Sequence, residues 1–476
     1  MTTLQTAETL YEAGRHAAAA ELCRDRLTRD IDDQAALGLY GLCLVALGRR
    51  AEGIAMLAGV DDPDARISTA LSSALRDAGL GAEPRVLRPS PASPAANPAA
   101  QALLLNGNDH LFAHRLDAAE QAYRDALAAD PAFTGAMGNL GNVLTAQGRL
   151  TEAHETYRAA LALAPDNVDI GFAFSLSLLL AGDFAEGWRW YECRRRVAEM
   201  RWNYDRHPDL PQWRDGMDLT GRRVLLTAEQ GRGDMIQHAR LAPLLAERAA
   251  HVVLELPQPL HRLFEGMPNI ARIMDRDAPA PDCDIVCPLL SLPRVLGLTL
   301  DHIPPPVVTL RDDLRAQWGA WLGEPDGTKR IGLVVSGEAR HPHDALRSIP
   351  LEMLRAIVSL PHRFILVQTE LRPADRDTRD SMEGLRFPGA ALTDFADAAA
   401  LVANLDLLIS VDTAAAHLAG ALNVPVWLLL AHAPDHRWLL DRTDSPWYPS
   451  MRLYRQPAPS DWRSVLGQVQ RDLGRL

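Results

Sequence analysis

The sequence predicts an all-α repeat solenoid followed by an α/β region of two doubly wound parallel-sheet lobes. Small residues, tyrosines and prolines recur at a 34-residue interval in the first half, and short apolar runs alternate with helical stretches in the second. The pattern changes at about Leu219. A chain of 476 residues has room for about three domains. Its 47% hydrophobic and 23% charged residues suit domains that each bury a core.

In the first half, Gly107 and Gly141 stand 34 residues apart, and at the same offset Ala119 meets Ala153, Tyr123 meets Tyr157, Ala126 meets Ala160 and Pro131 meets Pro165. One further step takes Gly148 to Gly182, Ala153 to Gly187 and Tyr157 to Tyr191. Gly14 and Gly48 keep the interval, with Gly41 at the small-residue position. Such a period describes pairs of antiparallel helices. Small residues let the two backbones approach, tyrosines are expected to fill the space between neighbouring units, and the prolines stop the second helix because they cannot continue its hydrogen-bond ladder. The pattern resembles the tetratricopeptide family. Clear units are expected at 100–133, 134–167 and 168–200 within a block 100–205, and degenerate ones in 1–88. Between them RPSPASPAANP, from Arg88 to Pro98, predicts a proline-rich linker at 89–99. A solenoid offers a concave face. It is expected to bind a protein, with a spacer or dimerisation role as the alternative.

In the second half, strands are expected at Arg223–Thr227, His251–Leu256 and Asp284–Val286 in a first lobe (218–310). Four more are expected at Arg330–Ser336, Phe364–Val367, Leu407–Ser410 and Val426–Leu430 in a second lobe (328–460). A helix at Met235–Ala249 follows the first strand, and an amphipathic helix fills 461–476. Apolar strands alternating with helices mean parallel sheets covered on both faces, with ligand at the carboxyl ends of the strands.

Bulk properties exclude several classes. The net charge is -12 and no long basic stripe offsets it, which argues against a nucleic-acid partner. The run Arg194, Arg195, Arg196 reads as a solvated helix end. Five irregularly spaced cysteines read as reduced thiols of a cytoplasmic protein. Cys283 and Cys287 lack a second ligand pair and read as buried cysteines. The N-terminus has no signal-peptide pattern, and the apolar stretch Phe172–Ala181 is too short for a transmembrane segment.

Three segments carry candidate chemistry. LDLLISVDTAAAHLAGAL, from Leu405 to Leu422, is a buried strand, a turn with Asp412 and Thr413, and a small-residue helix with His417 on its first face. Free amides and the dipole at such a helix start attract an anion. Asp412 as a plain N-cap and His417 as a core histidine are the alternatives. TAEQGRGDMIQHAR, from Thr227 to Arg240, places Glu229, Gln230, Gly231, Gly233 and Asp234 between strand and helix. Its glycines are expected to take positive φ and admit a ligand to the backbone, and Asp234 could equally cap the helix. VVSGEARHPHDALRSIPL, from Val334 to Leu351, brings Ser336, Arg347 and Ser348, and an arginine fork suits phosphate oxygens. His341 and His343 in that loop resemble a metal pair but read better as loop residues.

DTAAAHLAGALNVPVW resembles the Asp-Thr-x-x-x-His-Leu-Ala motif of heptosyltransferase-like enzymes with the GT-B fold. The wider stretch Asp394–Gln456, with DHRWLL and DSPWYPSMRLYRQ, is similar to the catalytic region of bacterial tetratricopeptide glycosyltransferases. That group includes flagellin-modifying enzymes and is distantly similar to O-GlcNAc transferase. The likeness spans most of 100–476. Val335 stands where the family often has Trp, and Thr369 and Glu370 where Lys-Gly is usual. The resemblance implies a metal-independent transferase with no cofactor, moving a hexosyl, heptosyl or nonulosonyl group from a nucleotide sugar. Asp234 matches the catalytic base, with His238 as an alternative. Ser336, Arg347, Ser348, Gln368, Asp412, Thr413, Ala414 and His417 are the expected donor-binding set. Trp438, Trp447 and Tyr448 read as packing residues that could line the cleft. The final helix is expected to cross back onto the first lobe. The expected reaction is transfer to a protein hydroxyl, flagellin being a plausible acceptor held by the repeats. A surface-glycan or lipopolysaccharide transferase and a non-catalytic scaffold are the alternatives.

Overall fold

The computed structural model describes residues 3–27, 33–47, 56–57, 97–112, 115–198, 200–204, 206–276, 278–279, 281–337 and 344–476. Gly48, the histidines 341 and 343, and nearly all of the proline-rich linker lie outside these residues. The chain divides into one unit of residues 1–83 with 338–345 and a second of 84–337 with 346–476.

The first unit contains helices Thr3–Glu12, His16–Leu27 and Gln34–Ala46 around Ala7, Ala19, Cys23, Leu39 and Cys43. Gly14 makes the first turn at φ +73°, and Asp33 caps the third helix by accepting from Ala36 N at 2.9 Å.

The second unit opens with three helix pairs: Pro98–Phe112 with Leu116–Ala129, Thr134–Ala146 with Leu150–Leu163, and Val168–Leu180 with Phe184–Tyr191. A Cβ at Gly107 would stand 2.4 Å from the Tyr123 ring, and one at Gly141 would stand 2.6 Å from Tyr157. Each tyrosine therefore lies on the glycine of its own pair, contrary to the expectation that it fills the gap between units. An amide makes the link between units. Asn108 Oδ1 accepts from Tyr123 Oη at 2.8 Å and from Asn139 Nδ2 of the next pair at 2.9 Å.

The third pair merges into the α/β region. Phe184, Trp188 and Tyr191 share a hydrophobic cluster with Val224, Ile236, Leu254, Leu290 and Leu418. The arginine run beyond them is not a solvated end, because Arg194 is 0% exposed. Its Nη2 donates to Glu229 Oε1 at 2.7 Å and Ser291 Oγ at 2.9 Å, its Nε to Glu229 Oε2 at 3.0 Å, and its Nη1 to Glu192 Oε1 at 2.8 Å. The Tyr204 hydroxyl and Leu290 N also donate to Glu229. A guanidinium can leave water only where a carboxylate and acceptors of this kind receive it.

Two all-parallel sheets follow. Strands β1 (Arg223–Thr227), β2 (His251–Glu255), β3 (Arg272–Met274) and β4 (Ile285–Pro288) are ordered β3-β2-β1-β4. Strands β5 (Arg330–Val334), β6 (Arg363–Leu366), β7 (Leu385–Arg386), β8 (Leu407–Val411), β9 (Val426–Leu430) and β10 (Met451–Arg455) are ordered β10-β9-β8-β5-β6-β7. The single helix expected at Met235–Ala249 is two, Arg232–Ala239 and Ala242–Ala246, because Pro243 cannot donate back into the ladder. The last helix, Trp462–Leu473, buries Trp462, Val465, Leu466, Val469 and Leu473 against Ile331, Leu333, Leu354 and Leu429. It therefore covers the second lobe and does not cross to the first. The helix Asp312–Leu322 makes the passage between lobes, and its Trp318 Nε1 donates to Asp397 Oδ1 at 3.2 Å.

Arg194→Met would leave Glu229 buried without its counter-charge. We expect a stability loss of about 3–5 kcal/mol, read as a lower denaturant midpoint. An unchanged midpoint would show that this network does not hold the third helix pair to the first lobe.

Candidate active site

The loop after β1 turns on Gln230, which takes φ +60°. Gly231 is the N-cap at φ -83°, and Gly233 lies within the helix Arg232–Ala239. The positive φ expected of the glycines thus falls on their neighbour. Gln230 Nε2 donates to Tyr191 Oη at 2.9 Å, and Glu229 is spent on Arg194. Gly233 is needed for close approach. A Cβ there would stand 2.8 Å from His417 Cδ2 and 3.5 Å from Ala414 Cα. The missing side chain lets this first-lobe helix rest on the second-lobe helix Ala414–Ala421.

At the end of β8, Thr413 is the N-cap, extended at φ -145°, ψ 170° and without a side-chain capping bond. Ala416 N and His417 N donate to Thr413 O at 3.0 and 3.4 Å, and Asp412 to Ala415 are half-buried. Asp412 is therefore not the plain N-cap. Its Oδ2 accepts from Trp438 Nε1 at 2.8 Å, and its carbonyl accepts from Arg347 Nη1 at 2.7 Å. Thr413 Oγ1 lies 3.3 Å from Ser410 Oγ.

Asp234 sits at this junction. Its Oδ2 accepts from Gly231 N at 3.0 Å, so it caps the helix from inside the first turn and not from the N-cap position. Its Oδ1 accepts from Arg437 Nη2 at 2.6 Å. Arg437 Nε lies 3.0 Å from Asp435 Oδ1, and Nη1 lies 3.4 Å from His417 Nε2. On its other side the His417 ring meets Tyr448 Oη at 3.0 Å through Nδ1. Arg240 adds a further tie between the lobes, its Nη1 donating to Trp447 O at 2.9 Å.

Burial raises the Asp234 carboxyl, but the Arg437 guanidinium more than offsets this and holds it below the usual carboxylate range. Burial dominates at Asp412 and raises its carboxyl despite Arg437 and Arg347. Burial also pushes the imidazoles of His417 and His238 down to about 3. Among the described residues the Nε2 of His238 has no hydrogen-bond partner. Its Nδ1 lies 2.9 Å from Asp234 O and its ring packs on Trp188 and Trp447. His238 is 2% exposed.

Of the remaining expected residues, Ser336 and Gln368 stand just past β5 and β6, and Arg347 and Ser348 at the end of the short helix Asp344–Arg347. Ser336 Oγ accepts from Gln368 Nε2 at 3.0 Å, Gln368 Oε1 accepts from Val335 N at 2.9 Å, and Ser348 Oγ accepts from Arg372 Nη2 at 2.8 Å. Arg347 alone of this group has its bond to Asp412 described. Sequence reasoning did not single out Arg437, Asp435 or Arg240. Only the DHRWLL stretch hinted at the first two, and no spacing ties residue 437 to residue 234. Trp438, Trp447 and Tyr448 are buried packing residues as expected, but Trp438 and Tyr448 also hold Asp412 and His417. Among the described residues no group of three or more His, Cys, Asp or Glu is arranged to hold a metal ion, and no helix is long and apolar enough to cross a membrane.

Helical repeats followed by two parallel-sheet lobes make a tetratricopeptide-like array and a GT-B-like fold, with a half-buried helix start and a carboxylate at the seam. Comparison with known proteins gives the family of each part. Residues 104–168 match the tetratricopeptide repeat, and residues 379–453 match glycosyltransferase family 9 (heptosyltransferase). The chain thus carries a tetratricopeptide-repeat segment and a segment similar to heptosyltransferase-like glycosyltransferases. It is 26% identical over 431 residues to Protein FlbA of Caulobacter vibrioides, covering 84% of this chain and 71% of that protein. Among solved structures it is similar to a family 9 glycosyl transferase of Veillonella parvula, with 15% identity, 51% of this chain and 88% of that one covered, and a TM-score of 0.40. It is also similar to the ADP-heptose LPS heptosyltransferase II of E. coli, with 13% identity, coverage of 53% and 99%, and a TM-score of 0.38.

The two depressed imidazoles make stability depend on pH. Each titrates near 6.5 when unfolded and near 3 when folded, so unfolding takes up protons below pH 6.5 and stability falls as pH drops from 6.5 towards 3. The slope is at most about 1.4 kcal/mol per pH unit per histidine. In melting curves between pH 7.5 and 5, His238→Phe should show a shallower slope than the wild type. Equal slopes would mean that His238 takes up no proton on unfolding.

Proposed function

We propose that the protein moves a sugar from a nucleotide-activated donor to a hydroxyl of a protein acceptor, with Asp234 as base and the helix start at 412–415 as the seat of the donor diphosphate. The observation that carries this reading is the contact of Gly233 with Ala414 and His417, which sets Asp234 beside that helix start. Asp234 would take the acceptor hydroxyl proton as its oxygen bonds to the anomeric carbon. The bond from that carbon to the phosphate oxygen would break, and the nucleoside diphosphate would leave with the bonding pair. Arg347 and the amides of the first helical turn would take up its charge, a role for which oriented donors in a dry site suffice without a divalent ion.

Ser336 and Gln368, just past β5 and β6, and Ser348, just past the helix Asp344–Arg347, would border the nucleotide on the second lobe. The repeats would hold the acceptor, and flagellin is the acceptor the family likeness favours. Because the third helix pair shares a core with the lobes, an acceptor on the repeats would stand at a fixed position relative to the seam.

The test is a donor screen of the full chain with UDP, GDP, ADP and CMP sugars, followed by Asp234→Asn with the donor that works. Transfer to candidate acceptors is read by mass spectrometry. The variant should melt as a folded protein and lose transfer by roughly a hundredfold or more. Wild-type turnover by the variant would remove Asp234 from the mechanism, and no turnover of any donor by the wild type would favour a scaffold.

A further inference from the structure

The two oxygens of Asp234 are not equivalent. Oδ2 is held by Gly231 N at 3.0 Å as part of the helix start. Oδ1 is the oxygen left to receive a proton, and Arg437 Nη2 covers it at 2.6 Å. A carboxylate oxygen can accept two hydrogen bonds, but the Arg437 guanidinium stabilises its charged form and so weakens it as a base, and base catalysis is favoured when Arg437 moves.

The surroundings of Arg437 favour movement of its tip alone. Its backbone lies in the short turn His436–Trp438, where Asp435 Oδ1 accepts its amide at 3.1 Å, and Trp438 is fully buried and bonded to Asp412. Asp435 also pairs with Nε at 3.0 Å. The guanidinium can therefore turn about its Asp435 contact without disturbing the chain. Among the described residues its remaining nitrogen, Nη1, has a 3.4 Å contact with the neutral ring of His417. A phosphate oxygen is a shorter and stronger partner for a guanidinium than that. Asp234, Asp412 and Asp435 all surround this spot, so a diphosphate entering beside Ala414 meets carboxylates unless an arginine turns to it.

We propose that Arg437 is a positioning residue that couples donor binding to release of the base. With the seam empty it holds Asp234 Oδ1, and a nucleoside diphosphate group at the first turn of the helix Ala414–Ala421 takes the guanidinium over and frees that oxygen for the acceptor. This rests on the reading of the seam as a glycosyltransferase centre. It implies that donor binds before acceptor, and that Asp234 and the diphosphate compete for one guanidinium.

Competition is tested by a thermodynamic cycle on the full chain. ADP, GDP, UDP and CDP are titrated calorimetrically, and the tightest is used as the probe with wild type, Asp234→Asn, Arg437→Gln and the double variant, each checked by its melting curve. Arg437→Gln should weaken binding about tenfold or more. Asp234→Asn should tighten it several-fold, because Arg437 no longer has to leave a carboxylate, and that tightening should vanish in the Arg437→Gln background. If Arg437→Gln does not fold, Arg437→Lys takes its place, with the tightening expected to shrink. Additive effects, or no tightening by Asp234→Asn, would overturn the proposal while leaving the transferase reading standing. Failure of the wild type to bind any of the four would overturn that reading and the proposal with it.

Discussion

The structure depends on one close approach, where the backbone at Gly233 lies against the ring of His417 and the Cα of Ala414. A Cβ at that position would stand 2.8 Å from His417 Cδ2, so the buried ring or the helix Arg232–Ala239 would have to shift. Because nothing intervenes, an acidic residue of the first lobe stands beside the uncapped helix start of the second. Burial then determines the chemistry. Both nearby imidazoles are held neutral, and the Arg437 guanidinium holds the Asp234 carboxyl below the usual carboxylate range against the effect of burial.

The same packing makes the end of the repeat array part of the catalytic region. Trp188 lies against the rings of both His238 and His436, and Tyr191 holds the strained Gln230. These contacts put the last repeat helix behind the loop that carries Asp234 and beside the turn that carries Arg437. The buried Arg194–Glu229 pair fixes the chain just beyond it. Orientation of the third helix pair relative to the seam is therefore set by the core itself.

The repeat was legible because it is a steric code. A Cβ added at Gly107 or Gly141 would lie 2.4–2.6 Å from a tyrosine ring, so a side chain there fits only if the ring shifts, and the period survives in the letters. The long apolar strands were legible for a similar reason, being buried on both faces. The short strands β3 and β7 were not, since two or three residues carry no period, and β10 was missed because Arg452 and Arg455 break its apolar run. Amphipathicity in Trp462–Leu473 showed which face is buried but not which lobe buries it. The motifs located Asp234, Asp412 and His417. They could not supply Arg437 or the burial of Arg194, because ion pairs between residues 203 and 35 positions apart leave no mark in spacing.

The account stands on a donor diphosphate occupying the seam beside residues 412–415. Hydrogen–deuterium exchange of the full chain, with and without the nucleoside diphosphate that binds it, tests this most directly. Slowed exchange in peptides spanning 407–422 and 228–240 together is the predicted result. Slowed exchange elsewhere with both of these unchanged would contradict it.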